Sequence, residues 1–493
     1  MTNEGDVFAM KKTCSFIIIF LFMIGCAVNP VTQKREIMLF SDQDEIKMGK
    51  DGHEAVLIQF GRYEDPSLQR YIDQVGQKIA RVSHRNNMPH HYMVVDSAVI
   101  NAFALPGGYI YINRGLLAYL NNEAQLAGIL GHESGHVAAR HGVKRYQKAI
   151  GAQFIILGVA VATESRGLIL GTNLLLTTIL QGYSRKDEYQ ADQLGTLYMY
   201  NAGYNPMEIA EFFKILERME KNTPNLIEQL FASHPPTPNR IEKTKAYAQE
   251  LTKGKTADLI VDHNRYISHL GGLVFGPGER DGAIEGVVYK NRYFRFRVKM
   301  PIGWRVQRGD TAGSVLAQDP SKRYLSQAIP IELKEELTPS QLAAMVEKDS
   351  GLQRLDVTRI TIDGKRAYLV DYRAQSEGGD WLGLRIAYLT RGKMGFVMAN
   401  ISRLHEFARV RRTFNKVIFS FRSLSPQEAA KIPLHRLKVY MVRRGDTFAS
   451  ISRKFYRTAK YAEDIKRFNG MDELKGPPVG MLIKIKPLLP KTL

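Results

Sequence analysis

The spacing of apolar positions changes character several times along this chain, and each change predicts a different kind of element. Between Tyr92 and Ile112, β-branched and aromatic residues crowd around a Leu105-Pro106-Gly107-Gly108 turn, a composition that predicts short strands. From Asn122 the pattern is helical: Glu123-Ala124-Gln125-Leu126-Ala127-Gly128-Ile129-Leu130 are helix formers, with Asn121 or Asn122 as N-cap and Gly142 as the C′ residue. Two apolar runs follow, 151–162 and 167–180, split by Thr163-Glu164-Ser165-Arg166. Each is shorter than the ~20 residues a bilayer span needs, which predicts a buried helical hairpin, with a dip into a membrane surface as the alternative. Further helices are expected over 205–221 and after Pro238.

Near Asp262 the composition shifts. The Gly/Pro punctuation of 270–278 predicts a linker over 263–283. Beyond it Phe294, Phe296 and Val298 alternate with Arg295, Arg297 and Lys299, the period of a half-buried strand. More strands are expected at 367–372, 383–389 and 395–401, with helices at 339–348 and 404–419, making an α+β unit over 284–425. From Lys438 the order strand, helix, helix, strand closes at 481–485. The predicted fold class is therefore multidomain: a mainly α catalytic domain (27–262) with a small sheet, an α+β domain, and a small βααβ domain (437–488).

Inside the first helix lies His132-Glu133-Ser134-Gly135-His136. His-Glu-x-x-His sets two imidazoles one turn apart, about 5–6 Å between Cβ atoms, able to grip one zinc ion with the glutamate beside it. Gly128, Gly131 and Gly135 each cost that helix roughly 1 kcal/mol against Ala, so another segment is expected to approach closely. Catalytic zinc takes three protein ligands and keeps one position open. Ala139 and His141 do not continue a metzincin pattern; the other common solution, a downstream glutamate, is met by Glu188, with Asp192 one turn later to orient a ligating histidine.

These motifs, with Asn29-Pro30-Val31-Thr32, Asn101-Ala102-Phe103-Ala104-Leu105-Pro106-Gly107-Gly108, Arg140-His141-Gly142, Tyr183-Ser184-Arg185 and Ser233-His234-Pro235-Pro236-Thr237 with Arg240, resemble the HtpX-like and CAAX-prenyl-protease-like zinc metallopeptidases, in particular a periplasmic bacterial branch. The resemblance covers roughly residues 27–260. It implies one zinc held by His132, His136 and Glu188, Glu133 as general base, and Asn101, Ala102, Phe103 and Ala104 on an edge strand that holds unfolded polypeptide by its main chain. His234, Arg240 and Tyr183 are candidates for the oxyanion donor, and His234 alternatively for a cap on the resting metal. Residues 284–425 faintly resemble PsbP-like sandwiches, without implied chemistry. The last fifty residues resemble a LysM domain, with Phe448 where Leu is usual and Val479-Gly480 where Pro-Gly is usual; peptidoglycan would bind near 445–448 and 469–471.

Lys11 and Lys12, an apolar stretch over 15–24 and Gly25-Cys26 read as a lipoprotein signal, with Cys26 lipidated. No aspartate follows it, so the expected address is the outer membrane, facing the periplasm. Cys14 is the other cysteine and leaves with the signal, so no disulfide is expected. Of the net +20, residues 1–274 carry 28 basic and 27 acidic groups, 275–435 carry 27 and 17, and 436–493 carry 14 and 5. A near-neutral catalytic part with basic appendages predicts an anionic surface as partner, with no nucleic acid partner for an exported chain. The expected function is an endopeptidase clearing misfolded or stalled envelope proteins; the alternatives are a wall-tethered chaperone-like factor and a peptidoglycan cross-link peptidase.

Overall fold

The computed structural model describes residues 26–489 except 158–174, 176, 223, 310, 349 and 377. The expected signal and most of the two apolar runs lie outside the described residues, and among the described residues no helix is long and apolar enough to cross a membrane. The chain opens with a short hairpin of β1 (Cys26–Val28) and β2 (Arg35–Ile37). Helices α1 (Asp42–Phe60) and α2 (Pro66–Arg81) follow, then a three-stranded sheet of order β3 (His91–Val95), β5 (Tyr109–Asn113), β4 (Ala102–Leu105). β4 is thus an edge strand, antiparallel to β5. Gly107 (φ +73°) and Gly108 (φ +82°) turn the chain between them, and a β-carbon at Gly108 would lie 2.0 Å from the Pro89 carbonyl oxygen.

After the single turn α3 (Arg114–Leu117) comes α4 (Glu123–Ala138), fully buried and capped by Asn122, whose side chain accepts from Gln125 N at 2.8 Å. Gly142, the expected C′ residue, lies instead inside α5 (His141–Leu157), and it is Arg140 that takes the left-handed conformation (φ +60°). Arg140 tolerates that strain because its guanidinium is buried against Glu45 and donates to Phe40 O at 2.7 Å. Helices α6 (Arg185–Asn201), α7 (Met207–Asn222), α8 (Pro224–Ser233), α9 (Arg240–Thr252) and α10 (His263–Ser268) complete this part.

The expected linker is in part a piece of the core. Tyr266, Ile267, Leu270, Leu273 and Val274 are buried in the cluster that holds α2, α4 and α7, and Tyr266 donates to Leu117 O at 2.7 Å. Glycines and prolines of 271–278 do form turns, but between apolar residues that bury rather than swing free.

The accessory domain stacks a seven-stranded antiparallel sheet, order β12 (Gln353–Ile362), β13 (Lys365–Gln375), β14 (Trp381–Arg391), β15 (Met394–Arg403), β11 (Leu325–Glu332), β10 (Val315–Gln318), β9 (Arg305–Arg308), against a four-stranded one. The smaller sheet has the order β16 (Arg422–Ser423), β8 (Phe296–Lys299), β7 (Val288–Asn291), β6 (Ala283–Glu285), and the alternation of β8 buries Phe296 and Val298 and exposes Arg297 and Lys299. The predicted strands and both helices, Pro339–Glu347 and Phe407–Ile418, are present.

The C-terminal βααβ unit pairs β17 (Lys438–Met441) with β18 (Leu482–Ile485) around two short helices, Phe448–Tyr456 and Ala462–Phe468. It is docked on the catalytic part. His263 Nε2 donates to Leu482 O at 2.7 Å, and Asn264 bonds both Gly480 O and Leu482 N. Lys484 is fully buried and donates to Ala118 O and Leu120 O at 2.9 and 2.7 Å. One wall of the expected glycan groove is closed: Asn469 and Met471 are buried, and Asn121 sits against Gly470.

Among the described residues no carboxylate pairs with Lys484, so burial holds its ammonium well below the ordinary lysine range, although the Phe468 ring lies 4.7 Å away. The folded chain then binds fewer protons here than the unfolded chain, so stability rises with pH, from the depressed folded value up to the unfolded one near 10.4. Urea titrations of wild type and Lys484→Met at pH 7 and 9.5 are expected to show the wild type gaining on the variant at the higher pH, by at most ~1.4 kcal/mol per unit; an unchanged difference would mean Lys484 keeps its proton.

Candidate active site

The site is made where α4 crosses α6, and glycines allow the crossing. A β-carbon at Gly195 would lie 2.7 Å from His132 N, and one at Gly131 would lie 3.0 Å from Gly195 O. Gly135 faces Ala191, and Gly128 faces Ile209 on α7. The close approach predicted from three glycines is therefore helix against helix, and it carries Glu188 to the histidines. Ser184 begins α6 with a capping box to Asp187, so Glu188 enters from the helix's first turn.

His132, His136, Glu188 and His234 each offer one ligand atom within 4.8 Å of all the others, and all four are buried. His132 Nε2 lies 3.1 Å from His136 Nε2 and 3.5 Å from Glu188 Oε2; His136 Nε2 lies 3.4 Å from Glu188 Oε1. His234 Nδ1 is 3.3 Å from His132 Nε2 and 3.1 Å from Glu188 Oε1. A tetrahedral ion bound at 2.0–2.1 Å requires donor–donor edges of about 3.3 Å, so this donor set fits one. The protons agree. His132 Nδ1 donates to Asp192 Oδ1 at 2.9 Å, and His234 Nε2 donates to Ala102 O at 3.2 Å. The remaining lone pairs converge on one point, and Glu188 Oε2 there has no hydrogen-bond partner among the described residues.

Each sequence-predicted residue has a definite place. Glu133 is buried beside the cluster, with Oε1 3.5 Å from His234 Nε2 and Oε2 without a partner among the described residues. Burial pushes its carboxyl above the ordinary range. Burial also opposes charge on Glu188, but His234 and hydrogen bonds from His136 and His234 hold it well below that range. Asp192 is gripped by Arg240, whose Nε and Nη2 donate to its two oxygens at 2.7 and 2.6 Å while the guanidinium covers Phe213. Arg240 is thus committed to Asp192. Tyr183 stacks on His136, centroids 3.9 Å apart, and its buried hydroxyl bonds nothing among the described residues, so burial raises its pKa.

Sequence reasoning missed His141. Its Nδ1 lies 2.9 Å from His136 Nδ1, and its Nε2 donates to Gln190 Oε1 at 3.0 Å, a relay that fixes the tautomer of His136 as Asp192 fixes that of His132. It stands five residues after His136, across the left-handed Arg140, an offset that no regular helix would turn toward the site. Asn101 and Ser233 are joined at 3.1 Å, which ties the edge strand to the turn presenting His234.

Two histidines and a glutamate converging from two crossed helices, with a second carboxylate alongside, define a metallopeptidase of the His-Glu-x-x-His class. Residues 66–248 match the model of peptidase family M48, and residues 440–486 match that of the LysM domain. The chain is 28% identical over 234 residues to the mitochondrial metalloendopeptidase OMA1 of Schizosaccharomyces pombe, covering 46% of this chain and 68% of the relative. It is 30% identical over 203 residues to the beta-barrel assembly-enhancing protease of Escherichia coli (strain K12), covering 38% and 40% respectively. The chain thus spans about two fifths of the length of that relative. The solution structure of cyanobacterial PsbP from Synechocystis sp. PCC 6803 matches with TM-score 0.23 and 16% identity over 29% of this chain and 98% of that one, too slight to bear on the PsbP-like expectation.

Proposed function

We propose that this protein is a zinc-dependent endopeptidase of the bacterial envelope that cuts misfolded or stalled envelope polypeptides, anchored by lipid at Cys26 and held near peptidoglycan by its LysM domain. The observation that carries the reading is the buried four-donor cluster lying directly beneath the edge strand β4. His132, His136 and Glu188 hold the zinc, and Asp192 and His141 orient the two imidazoles. When bound, zinc supplies a Lewis acid that acidifies water and polarises the scissile carbonyl. Glu133 takes the proton from the attacking water and delivers it to the leaving amine, a task suited to a carboxyl whose pKa burial raises. β4 has no strand partner on the side away from β5 among the described residues. Once His234 releases Ala102 O, that buried edge pairs with an extended substrate by main-chain hydrogen bonds, which selects unfolded segments over particular sequences.

His234 acts as a resting cap in this reading. It turns Nδ1 to the metal donors and spends Nε2–H on Ala102 O, on the strand a substrate would pair with. His234→Ala is expected to raise casein hydrolysis several-fold; a fall instead would assign His234 to the oxyanion. A wall-tethered chaperone-like factor is the competing reading, and it requires Glu133→Gln to keep the cellular role. Release of muropeptides by the purified enzyme would favour the cross-link peptidase.

A further inference from the structure

A cleft of about 470 Å³ opens where the catalytic and accessory domains meet, within the size range of binding sites. Its catalytic wall includes Gln59, Ser97, Val99 and Gln229; its accessory wall, among the described residues, is Arg308, Gly309 and 311–314 between β9 and β10. Both walls are fixed. Arg114, with no exposed surface, binds Asp96 at 2.5 Å and the carbonyls of Val274 and Gly276 at 2.9 and 2.7 Å, and reaches Asp281 at 3.4 Å. The turn is closed by Gly309 N donating to Ser314 O at 3.0 Å, and it is braced by the Tyr289 hydroxyl on Gly313 O at 2.8 Å. A cleft between walls locked in this way is preformed.

The cleft is close to the active site along two elements. Gln229 precedes Ser233 by one helical turn, about 6 Å, and Ser233 bonds Asn101. Val99 precedes Ala102, the residue His234 touches, by three residues, at most about 10 Å of extended chain. A segment paired with β4 and running toward Val99 would reach this cleft within about three residues of the metal donors.

We infer that the accessory domain completes the substrate path, and that this cleft binds the extended polypeptide a few residues beyond the scissile bond. Its lining favours that occupant. Two carboxamides, three hydroxyl side chains and turn backbone offer donors and acceptors to a peptide main chain and polar side chains, while Phe60 and Pro277 provide short apolar contacts. Arg308 donates to Gly282 O near Asp281, and Asp96 and Asp281 share Arg114, so among the described residues the lining carries charges of both signs.

The inference rests on the proposed peptidase reading, and its test separates the two. Gln229→Trp and Thr311→Trp fill the cleft from exposed positions outside the metal site. In each variant kcat/KM for casein is expected to fall about tenfold, mainly through KM, while that for a fluorogenic peptide short enough to span only β4 stays within twofold. Equal losses on both substrates, or none on either, would overturn the inference. Binding supplies a readout independent of turnover. In a Glu133→Gln background, the Kd of fluorescein-labelled, reduced and carboxymethylated α-lactalbumin, followed by anisotropy, is expected to weaken about tenfold on adding either tryptophan. An unchanged Kd would overturn the cleft assignment even if the peptidase itself is active, and a weakened Kd with no turnover by wild type would keep the cleft and sink the peptidase reading.

Discussion

Glu133→Gln is expected to lower peptide hydrolysis by about 10²–10⁴-fold while leaving metal content and thermal stability near wild type. The amide is isosteric with the carboxylate, so packing against α6 and α7 is unchanged, but it cannot accept the proton from the attacking water. Burial favours the variant if anything: Glu133 Oε2 lacks a partner among the described residues, and its carboxyl carries a desolvation cost that a neutral amide largely escapes. The comparison needs kcat/KM on casein, metal analysis and a melting curve on the same preparations. Full activity in the variant would remove Glu133 from the chemistry.

Arg114→Ala is expected to destabilise the fold by about 3–5 kcal/mol, more than a typical core truncation. Arg114 is wholly buried, and its guanidinium is shared by Asp96, Asp281 and the carbonyls of Val274 and Gly276. Its removal leaves two partly exposed acids near each other without their shared cation, and four acceptors without their donor. Because Gly276 and Asp281 lie in the segment that leads into the accessory domain, limited proteolysis is expected to cut near 276–283 in the variant and not in wild type. Protease resistance equal to wild type, with a loss under ~1 kcal/mol, would show that other contacts hold the junction.

What could be read in the sequence was what has a local period or spacing. The metal helix, its glycines and the partner Glu188–Asp192 were legible because an α-helix returns every third or fourth residue to one face. The strands around 294–299 and 395–401 were legible because a half-buried sheet alternates. His141 was not, since it reaches His136 only because Arg140 leaves the helical conformation, and nothing local to an arginine announces that. The stretch 263–283 reads as a linker because glycine and proline signal turns whether those turns lie inside a core or outside it. Lys484 resembles any outward-facing lysine of the Leu-Ile-Lys-Ile strand; its burial is imposed by the carbonyls of Ala118 and Leu120, more than 360 residues away in the chain. The cleft beside Arg308 is likewise a property of two domains meeting.

We propose that hydrolysis by this chain depends on His132, His136 and Glu188 together holding one zinc ion. Zinc K-edge X-ray absorption with metal quantitation, on wild type and on Glu188→Ala and His136→Ala proteins verified as folded, is the decisive experiment. One zinc per chain in a nitrogen and oxygen shell is expected for wild type, with loss of that zinc and of hydrolysis in both variants. Stoichiometric zinc retained in both, or hydrolysis by wild type freed of metal, would refute the assignment.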